Sequence, residues 1–319
     1  MRIDTRLAFR LKKVKPSSTL AITSKAKKLK AEGFDIVNLA AGEPDFDTPD
    51  FVKEAAVEAI RGGFTKYTPT TGTPELKKAI SEKFKRDNRI DYLPEQIIVS
   101  CGAKHSIFNA LFVLVNPDDE VIMSAPYWVS YPEMVHLCMG VPKFIRTSPE
   151  NDFKITAEAL NKQLSDKTKV LILNSPSNPT GCVYNQEELA KIAEICVKRK
   201  IFVISDEIYE KLIYDGLRHV SIAGLGKDIY DLTVTINGLS KSYSMTGWRI
   251  GYLGTSLDIA GAISRLQDHS TSNPNSIAQK AAFSALEKGK KDFFDRISGE
   301  FQERRDYCMG ILKEMKLPF

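Results

Sequence analysis

Short apolar runs in this 319-residue chain end in residues that could bind a ligand or take part in catalysis. Gly102, Ala103 and Lys104 follow the run at 97–99 and open a helical pattern. Free backbone N–H groups at the start of a helix bind anions, so this segment is a candidate anion site. A glycine at such a position is more often a plain turn, which is the alternative here.

Two further runs end in polar side chains. The loop at 174–181 holds two X-Pro steps and a glycine, and this rigid path could aim the Asn178 amide at a ligand. A plain loop is the alternative. Asp206 follows the apolar run at 201–204, where an unpaired carboxylate would be costly to bury. A helix N-cap is the alternative role for this carboxylate.

Lys241 follows the apolar run at 233–236 and has small and hydroxyl-bearing neighbours, with Arg249 eight residues later. Most lysines are solvated at the surface. A lysine in a crevice at a strand end has a lowered pKa and can act as a nucleophile. All of these groups, together with Tyr209, would share one sheet edge. This set suits a cofactor with an aldehyde, a pyridine nitrogen and a phosphate.

The elements that position these residues have an α/β pattern. Continuous apolar runs at 97–99, 120–123, 170–173, 201–204 and 233–236 predict strands covered on both faces. Helical spacing at 103–115 and 186–199 lies between them. The alternation predicts a mostly parallel sheet with helices on both sides, and ligands bind at the carboxyl ends of such strands.

The two ends of the chain differ from this central pattern. Residues 17–32 predict a helix and residues 36–39 a short strand. Residues 283–316 predict a long charged helix that bridges to a second domain. Its candidate apolar contacts are Phe293, Ile297, Phe301 and Tyr307.

Composition argues against several functional classes. The net charge of +5 is spread along the chain without a basic, aromatic-interleaved stripe, so nucleic-acid binding is not expected. There is no apolar run long enough for a membrane span and no secretory signal pattern. Five widely spaced cysteines without a C-x-x-C pair favour reduced thiols and a cytoplasmic location. Four histidines without ligand spacing predict no metal site.

Six ordered motifs, at 41–49, 66–69, 126–131, 174–181, 205–209 and 240–249, together resemble class I aminotransferases of fold type I. The resemblance is strongest to the bacterial aspartate aminotransferase subgroup, which includes aspartate/prephenate aminotransferases. It implies an N-terminal arm and small-domain segment at 1–45 and a three-layer cofactor-binding large domain at 46–285. The start of a small α+β domain would occupy 286–319. The family continues further, so we expect this chain to be a fragment that lacks the rest of that domain and the arginine that clamps the substrate α-carboxylate.

The resemblance also implies pyridoxal 5′-phosphate (PLP) as the cofactor. Lys241 would hold it as an internal aldimine and then act as general base at the substrate α-carbon. Asp206 would pair with the pyridine nitrogen and keep the ring an electron sink. Tyr209 and Asn178 would hydrogen-bond the ring 3-oxygen, and Trp128 would stack on the ring.

The phosphate would lie on the backbone N–H groups of Ala103 and Lys104, with charge-assisted bonds from Arg249, and Gly102 and Ser240 are further implied cofactor-binding residues. Tyr67 would reach the phosphate of the other subunit, which implies a homodimer with shared sites. Many relatives carry a hydroxyl side chain where this chain has Gly238, so one phosphate contact is in question.

Substrate contacts are implied for Gly42, Trp128, Asn178, Lys104 and Thr19. Lys104 and Thr19 would grip a distal carboxylate, which favours transamination between aspartate or glutamate and a 2-oxo acid such as 2-oxoglutarate, with prephenate as a further candidate. A solvated Lys104 is the alternative for that side chain. The alternative functions are a PLP-dependent β-lyase and a truncated, non-catalytic relative.

Overall fold

The computed structural model describes residues 6–40 and 42–317. Seven strands form one sheet: β1 (Ile97–Ser100), β2 (Glu120–Ala125), β3 (Val141–Arg146), β4 (Thr168–Asn174), β5 (Phe202–Asp206), β6 (Thr233–Gly238) and β7 (Gly251–Gly254). Their order across the sheet is β1-β7-β6-β5-β4-β2-β3. Only β7 runs antiparallel to its neighbours, β1 and β6. The predicted α/β fold with a mostly parallel sheet is confirmed.

The five strands predicted from apolar runs all form. Strands β3 and β7 were not predicted. The partly exposed β3 lies at the sheet edge, and β7 is only four residues long with a glycine at each end. A strand so short and rich in glycine lacks the apolar run that signals a buried strand.

Helices cover both faces of the sheet. They are α1 (Ser18–Ala31), α2 (Asp50–Arg61), α3 (Pro74–Lys83), α4 (Ala103–Leu114), α5 (Ser130–Leu137), α6 (Ala157–Gln163), α7 (Gln186–Arg199), α8 (Lys227–Leu232), α9 (Leu257–Ser270), α10 (Ser276–Lys288) and α11 (Lys291–Glu314). The helices predicted at 17–32, 103–115 and 186–199 match α1, α4 and α7 within one residue at each end.

Alternate side chains of the strands enter different cores. In β4, Val170 and Ile172 pack toward α4, α5 and α9, whereas Leu171 and Leu173 pack toward α6 and α7. A third apolar cluster joins β1 and β7 to α2, α3 and α10. Because both faces are covered, side chains on both faces of the central strands are buried, and β6 is buried at all six positions.

Two predictions for the chain ends were wrong in part. Residues 36–39 form no strand; Val37 and Leu39 are 78% and 90% exposed, and β-propensity alone does not hold a segment without a partner strand. The helix predicted at 283–316 is interrupted between α10 and α11. The break lies at Gly289, where a Cβ atom would collide with the Tyr243 hydroxyl.

The apolar contacts predicted for the last helix are mostly confirmed. Phe293 stacks on Tyr243 with ring centroids 5.7 Å apart, and Ile297 is buried. Phe301 packs edge-on against Phe46. Tyr307 was predicted wrongly, because its side chain faces outward and is 72% exposed.

Other predictions concern the covalent state and the termini. In the part of the chain that the structure describes, no helix is long and apolar enough to cross a membrane. All five cysteines are free thiols. The first five residues of the predicted N-terminal arm, Ala41 of the motif at 41–49, and the last two residues lie outside the described residues.

Candidate active site

A cavity of about 620 Å³ opens where β4, β5 and β6 end and α4 begins. Such a volume lies in the range of small-molecule and cofactor sites. Most of the predicted site residues line it: Thr19, Gly42, Ala103, Lys104, Trp128, Asn178, Asp206, Tyr209, Ser240, Lys241 and Arg249. These residues therefore lie together as expected, because parallel strands deliver their carboxyl ends to one edge.

Lys241 lies in the turn that follows β6 and is half-buried. Its Nζ donates a hydrogen bond to the backbone oxygen of Gly42 and lies 5.7 Å from the centroid of the Tyr209 ring. Burial lowers the pKa of the amine, and the positive charge of Arg249 lowers it further, against the opposing charge of Glu43. A lowered pKa increases the fraction of the neutral amine, which is the nucleophilic form.

Asp206 ends β5 and is only 3% exposed. Its Oδ2 accepts a 2.6 Å hydrogen bond from the Tyr131 hydroxyl, and its Oδ1 accepts one from the Ile208 N–H at 3.3 Å. Burial raises the pKa of this carboxyl to about 6, although both hydrogen bonds favour its charged form. The alternative role of helix N-cap is wrong, because a turn and not a helix follows Asp206.

Tyr131 is a site residue that the sequence analysis did not assign. It lies three residues after Trp128, in the same motif at 126–131, and the two rings meet edge-on with centroids 5.2 Å apart. The signal that could have found it is this spacing at the start of α5, which places both rings on the cavity. Its side chain is buried, and its hydroxyl donates to the Asp206 carboxylate.

The Asn178 amide and the Tyr209 hydroxyl lie side by side in the cavity, with Nδ2 and Oη 3.5 Å apart. Burial and the nearby charge of Asp206 raise the pKa of Tyr209 to about 12, so this hydroxyl keeps its proton at neutral pH. Asn174, which was also not assigned a role, fixes the loop. Its Oδ1 accepts from the Asn178 N–H at 2.7 Å, and its Nδ2 donates to the Asp206 backbone oxygen at 2.9 Å.

The first turn of α4 and Arg249 form an anion cradle. Gly102 precedes the helix with φ +94°, a conformation that favours glycine, and a Cβ there would collide with the Arg249 guanidinium. The guanidinium donates to the backbone oxygens of Thr246 at 2.7 Å and Cys101 at 3.4 Å. Gly251 of β7 lies so close beneath that a Cβ would collide with the Ala103 nitrogen. The cradle thus depends on two glycines.

Gly238 lies where many relatives would place a hydroxyl side chain against the phosphate, and its neighbours leave little room for one. It pairs with Gly251 across β6 and β7. A Cβ at position 238 would lie 3.1–3.2 Å from Ile208, Ile250 and Gly251, so these neighbours would have to move before a larger residue could fit.

The expected carboxylate-binding side chains lie at the same cavity. The Nζ of Lys104 is 4.8 Å from the centroid of the Trp128 ring. Burial lowers the pKa of Lys104, and Arg249 lowers it further. Thr19 reaches the cavity from α1, and Gly42 reaches it from the segment that precedes α2.

Two predicted residues, Gly102 and Tyr67, are absent from the lining of this cavity; Gly102 lies directly before α4. Tyr67 is 92% exposed and is absent from the cavity lining of its own chain. Arg304 and Arg305, which do not match the expected α-carboxylate clamp, form ion pairs with Asp45 at 2.7 Å and Asp215 at 2.6 Å.

The set of groups fits the expected cofactor. An amine of lowered pKa, a buried carboxylate, a hydroxyl beside an amide, and an anion cradle all face one cavity. They are complementary to an aldehyde, a protonated ring nitrogen, a ring oxygen and a phosphate respectively. The lack of a Cβ at Gly102 and Gly251 lets the Arg249 guanidinium and the first turn of α4 lie directly against these glycines, which holds the parts of the cradle together.

Comparisons with known proteins agree with this geometry. The family model "Aminotransferase class I and II" matches residues 35–319. An aspartate aminotransferase of Bacillus sp. (strain YM-2) is 52% identical over 93% of this chain and 76% of its own length. A probable aspartate/prephenate aminotransferase of Rickettsia felis is 50% identical over 97% of this chain and 76% of its own length. The structure of Thermus thermophilus aspartate aminotransferase with maleate superposes with a TM-score of 0.95 at 41% identity, covering 100% of this chain and 82% of that one.

Proposed function

The chain belongs to the class I and II aminotransferase family, and we propose that its substrates are aspartate, or another dicarboxylic amino acid, and a 2-oxo acid such as 2-oxoglutarate. It is an aminotransferase, since relatives near 50% identity carry that activity in their names, and its cofactor is PLP because the family is PLP-dependent. One observation carries the proposal for the site. Lys241, Asp206 and the anion cradle line one cavity of cofactor size.

When bound, PLP supplies an aldehyde for the amino group and a ring that accepts electron density. Lys241 would hold the aldehyde carbon, and Asp206 the ring nitrogen. Arg249 and the N–H groups of Ala103 and Lys104 would hold the phosphate. Gly102 and Ser240 complete the proposed phosphate site beside them.

Lys241 is proposed to move the proton at the substrate α-carbon. Its lowered pKa leaves more of the amine neutral and able to accept that proton. The Gly42 oxygen, which accepts a hydrogen bond from Nζ, would keep the amine on this side of the cavity. Trp128 lines the cavity, where it is proposed to stack on the ring.

Asp206 and Tyr209 are proposed to hold protons at fixed places. The carboxylate would keep the ring nitrogen protonated, and the Tyr131 hydrogen bond keeps that carboxylate in its charged form. The Tyr209 hydroxyl retains its own proton and, with the Asn178 amide, would donate to the ring oxygen.

The charges at the cavity support an acidic substrate. Lys104 and Arg249 are cationic, while among the described lining residues the only carboxylate is Asp206, which is bound by Tyr131. This imbalance suits a phosphate together with the two carboxylates of a substrate. The Thermus relative, whose structure holds maleate, a dicarboxylate, supports the same choice. We assign the distal carboxylate to Lys104 and Thr19, and the α-carboxylate in part to Gly42.

The assembly and location are also proposals. Exposed Tyr67 is free to reach the phosphate of a partner subunit, which supports a homodimer with shared sites. The break before α11 supports a large domain at 46–285, with the segments at 1–45 and 286–319 contributing to a small domain. Five free thiols support a cytoplasmic location.

The test is amino transfer from aspartate to 2-oxoglutarate, with prephenate as a second acceptor because Rickettsia relatives carry that name. Lys241→Ala should abolish both turnover and the absorbance of covalently held PLP. Lys104→Met should raise the KM for aspartate by roughly tenfold to a hundredfold, the loss of one hydrogen bond to a charged group. Lys169→Met is the matched control, since Lys169 lies over Phe202 and away from the cavity.

Two results would contradict the proposal. Release of ammonia and a 2-oxo acid without any acceptor would indicate β-elimination instead. An equal rise in KM for aspartate and for an apolar amino acid in Lys104→Met would show that Lys104 does not bind the distal carboxylate.

A further inference from the structure

A buried cluster of charged and polar side chains lies behind the cavity, against the turn that carries Asp206 and Tyr209. Those two residues line the cavity. Glu207 and Glu210 of the same turn bond into the cluster instead, and they are only 1% and 9% exposed. The mechanism proposed above uses neither glutamate.

Glu207 accepts hydrogen bonds from four directions. Its Oε1 accepts from Ser205 Oγ at 2.8 Å and from Ser221 Oγ at 2.7 Å. Its Oε2 accepts from Asn88 Nδ2 at 3.1 Å and lies 2.8 Å from His219 Nε2. Burial alone would lower the pKa of His219, but the charge of Glu207 outweighs it and raises that pKa. The carboxylate is therefore held by donors on every side.

Glu210 anchors the other end of the turn. It forms an ion pair with Lys83 of α3 and accepts from Asn88 Nδ2 at 2.8 Å. The Lys83 amine also donates to Asn88 Oδ1 at 2.7 Å. Although burial by itself would raise the pKa of Glu210, Lys83 lowers it to about 2. Asn88 bridges the two glutamates, so the turn is tied at both ends to one cluster.

The cluster does not have the character of a metal site. Glu207, Glu210 and His219 offer ligand atoms within 4.8 Å of one another. However, the Lys83 amine already lies among them as a cation with two partners. Asp87 and Lys211 form a further pair at the edge, 2.9 Å apart. The charges are thus compensated by side chains of the chain itself.

We propose that Glu207, held by His219, Ser221 and Asn88, is a positioning residue that fixes the turn on which Asp206 and Tyr209 meet the cofactor. Asp206 and Tyr209 face the cavity, whereas Glu207 and Glu210 bond into the buried cluster behind it. The turn cannot shift toward or away from the cavity without breaking buried hydrogen bonds to α3 or to the segment at 219–221. The inference rests on the proposed roles of Asp206 and Tyr209.

Glu207→Gln is the test, because it keeps the shape but removes the charge and replaces one accepting oxygen with an NH2 donor. At least one of the four present donors must then reorient or give up its bond, which loosens the hold on the turn. We expect the Kd for PLP, measured on cofactor-free protein, to rise on the order of tenfold to a hundredfold, as for other residues that orient ligand-binding groups. In the loaded enzyme, kcat should fall while the KM for the amino acid stays within about twofold.

Glu120→Gln is the matched control. Glu120 is another buried carboxylate, but it lies at the opposite end of the sheet, where it accepts from Ser165 at 2.6 Å and pairs with Lys143 at 3.1 Å. This variant should lower the thermal unfolding midpoint and leave the Kd for PLP unchanged. Ser221→Ala removes one donor to Glu207 and serves as the milder variant if Glu207→Gln does not fold.

Asp206→Asn, measured in parallel, separates the two proposals. If it binds PLP as tightly as the wild type, the proposed site itself is wrong. If Asp206→Asn weakens binding but Glu207→Gln and Ser221→Ala change only the unfolding midpoint, the site stands and the positioning role of Glu207 is refuted. Weaker PLP binding in all three variants, with Glu120→Gln unaffected, is the result expected.

Discussion

The buried carboxyl of Asp206 should cost the cofactor-free protein stability, and its replacement by asparagine measures that cost. Asp206 is 3% exposed, and burial raises its pKa from 3.8 to about 6. Asparagine keeps the shape and an oxygen that can accept from Tyr131, but it carries no charge. Without PLP, Asp206→Asn should therefore be more stable than the wild type at neutral pH.

The sign follows from proton binding. Between pH 3.8 and about 6 the folded wild type holds a proton that the unfolded chain has lost, so its stability falls as pH rises through this window. The difference of about two pKa units corresponds to roughly 3 kcal/mol. The stability advantage of Asp206→Asn should thus be near zero below the window and reach roughly 3 kcal/mol above it.

Urea unfolding of the cofactor-free proteins at pH values from 3.5 to 8 is the measurement. Asp87→Asn is a control of opposite sign. Burial alone would raise the pKa of Asp87, but Lys83 and Lys211 lower it, so this variant should be less stable than the wild type at neutral pH. Added PLP should reverse the order for Asp206, since the charged carboxylate then gains its partner. A difference between Asp206→Asn and the wild type that does not change with pH would refute the reasoning.

Two further perturbations test the support of the site. Tyr131→Phe removes a 2.6 Å hydrogen bond to the charged form of Asp206, so the pKa of Asp206 should rise further. The acidic limb of the pH profile of kcat/KM should then move to higher pH. An unmoved limb would show that Tyr131 does not stabilise the carboxylate. Gly251→Ala would drive a methyl group into the start of α4, so it should cost roughly 1–3 kcal/mol in thermal unfolding and weaken PLP binding at least about tenfold. Gly247→Ala, where a Cβ meets nothing within 4 Å, is its control, and equal effects in both variants would contradict the close-approach argument.

The sequence predicted the central fold well because the signal there is local. Each buried strand is a short apolar run, and α7 begins at a capping box between Asn185 and Glu188. The failures lie where local signals are absent or misleading. Strand β7 has too few apolar residues to be recognised, and the apolar segment at 36–39 lacks a partner that would make it a strand.

The part of the candidate site that lies at strand ends could also be predicted, because strand ends are local features of the sequence. Asp206 ends a strand, and Lys241 and Asn178 lie within four residues of strand ends, so the parallel topology brings them to one edge. Tyr131 and Asn174 were missed, because their roles are to hold Asp206 and Asn178 and depend on contacts between separate segments. Glu207 lies in the motif at 205–209, yet its four donors come from three separate parts of the chain, so its role could not be found from the sequence.

By itself, then, the sequence determined which chemical groups the protein possesses and the order in which the strands deliver them. Residue type and spacing are sufficient for that, because strand ends are local features. Tertiary structure decided the properties of those groups. The pKa of Asp206 near 6, the lowered pKa of Lys241 and the close approach of other groups to Gly102 and Gly251 arise from burial, charge and close packing. These are set by residues distant in the chain, and only the folded molecule brings them within contact.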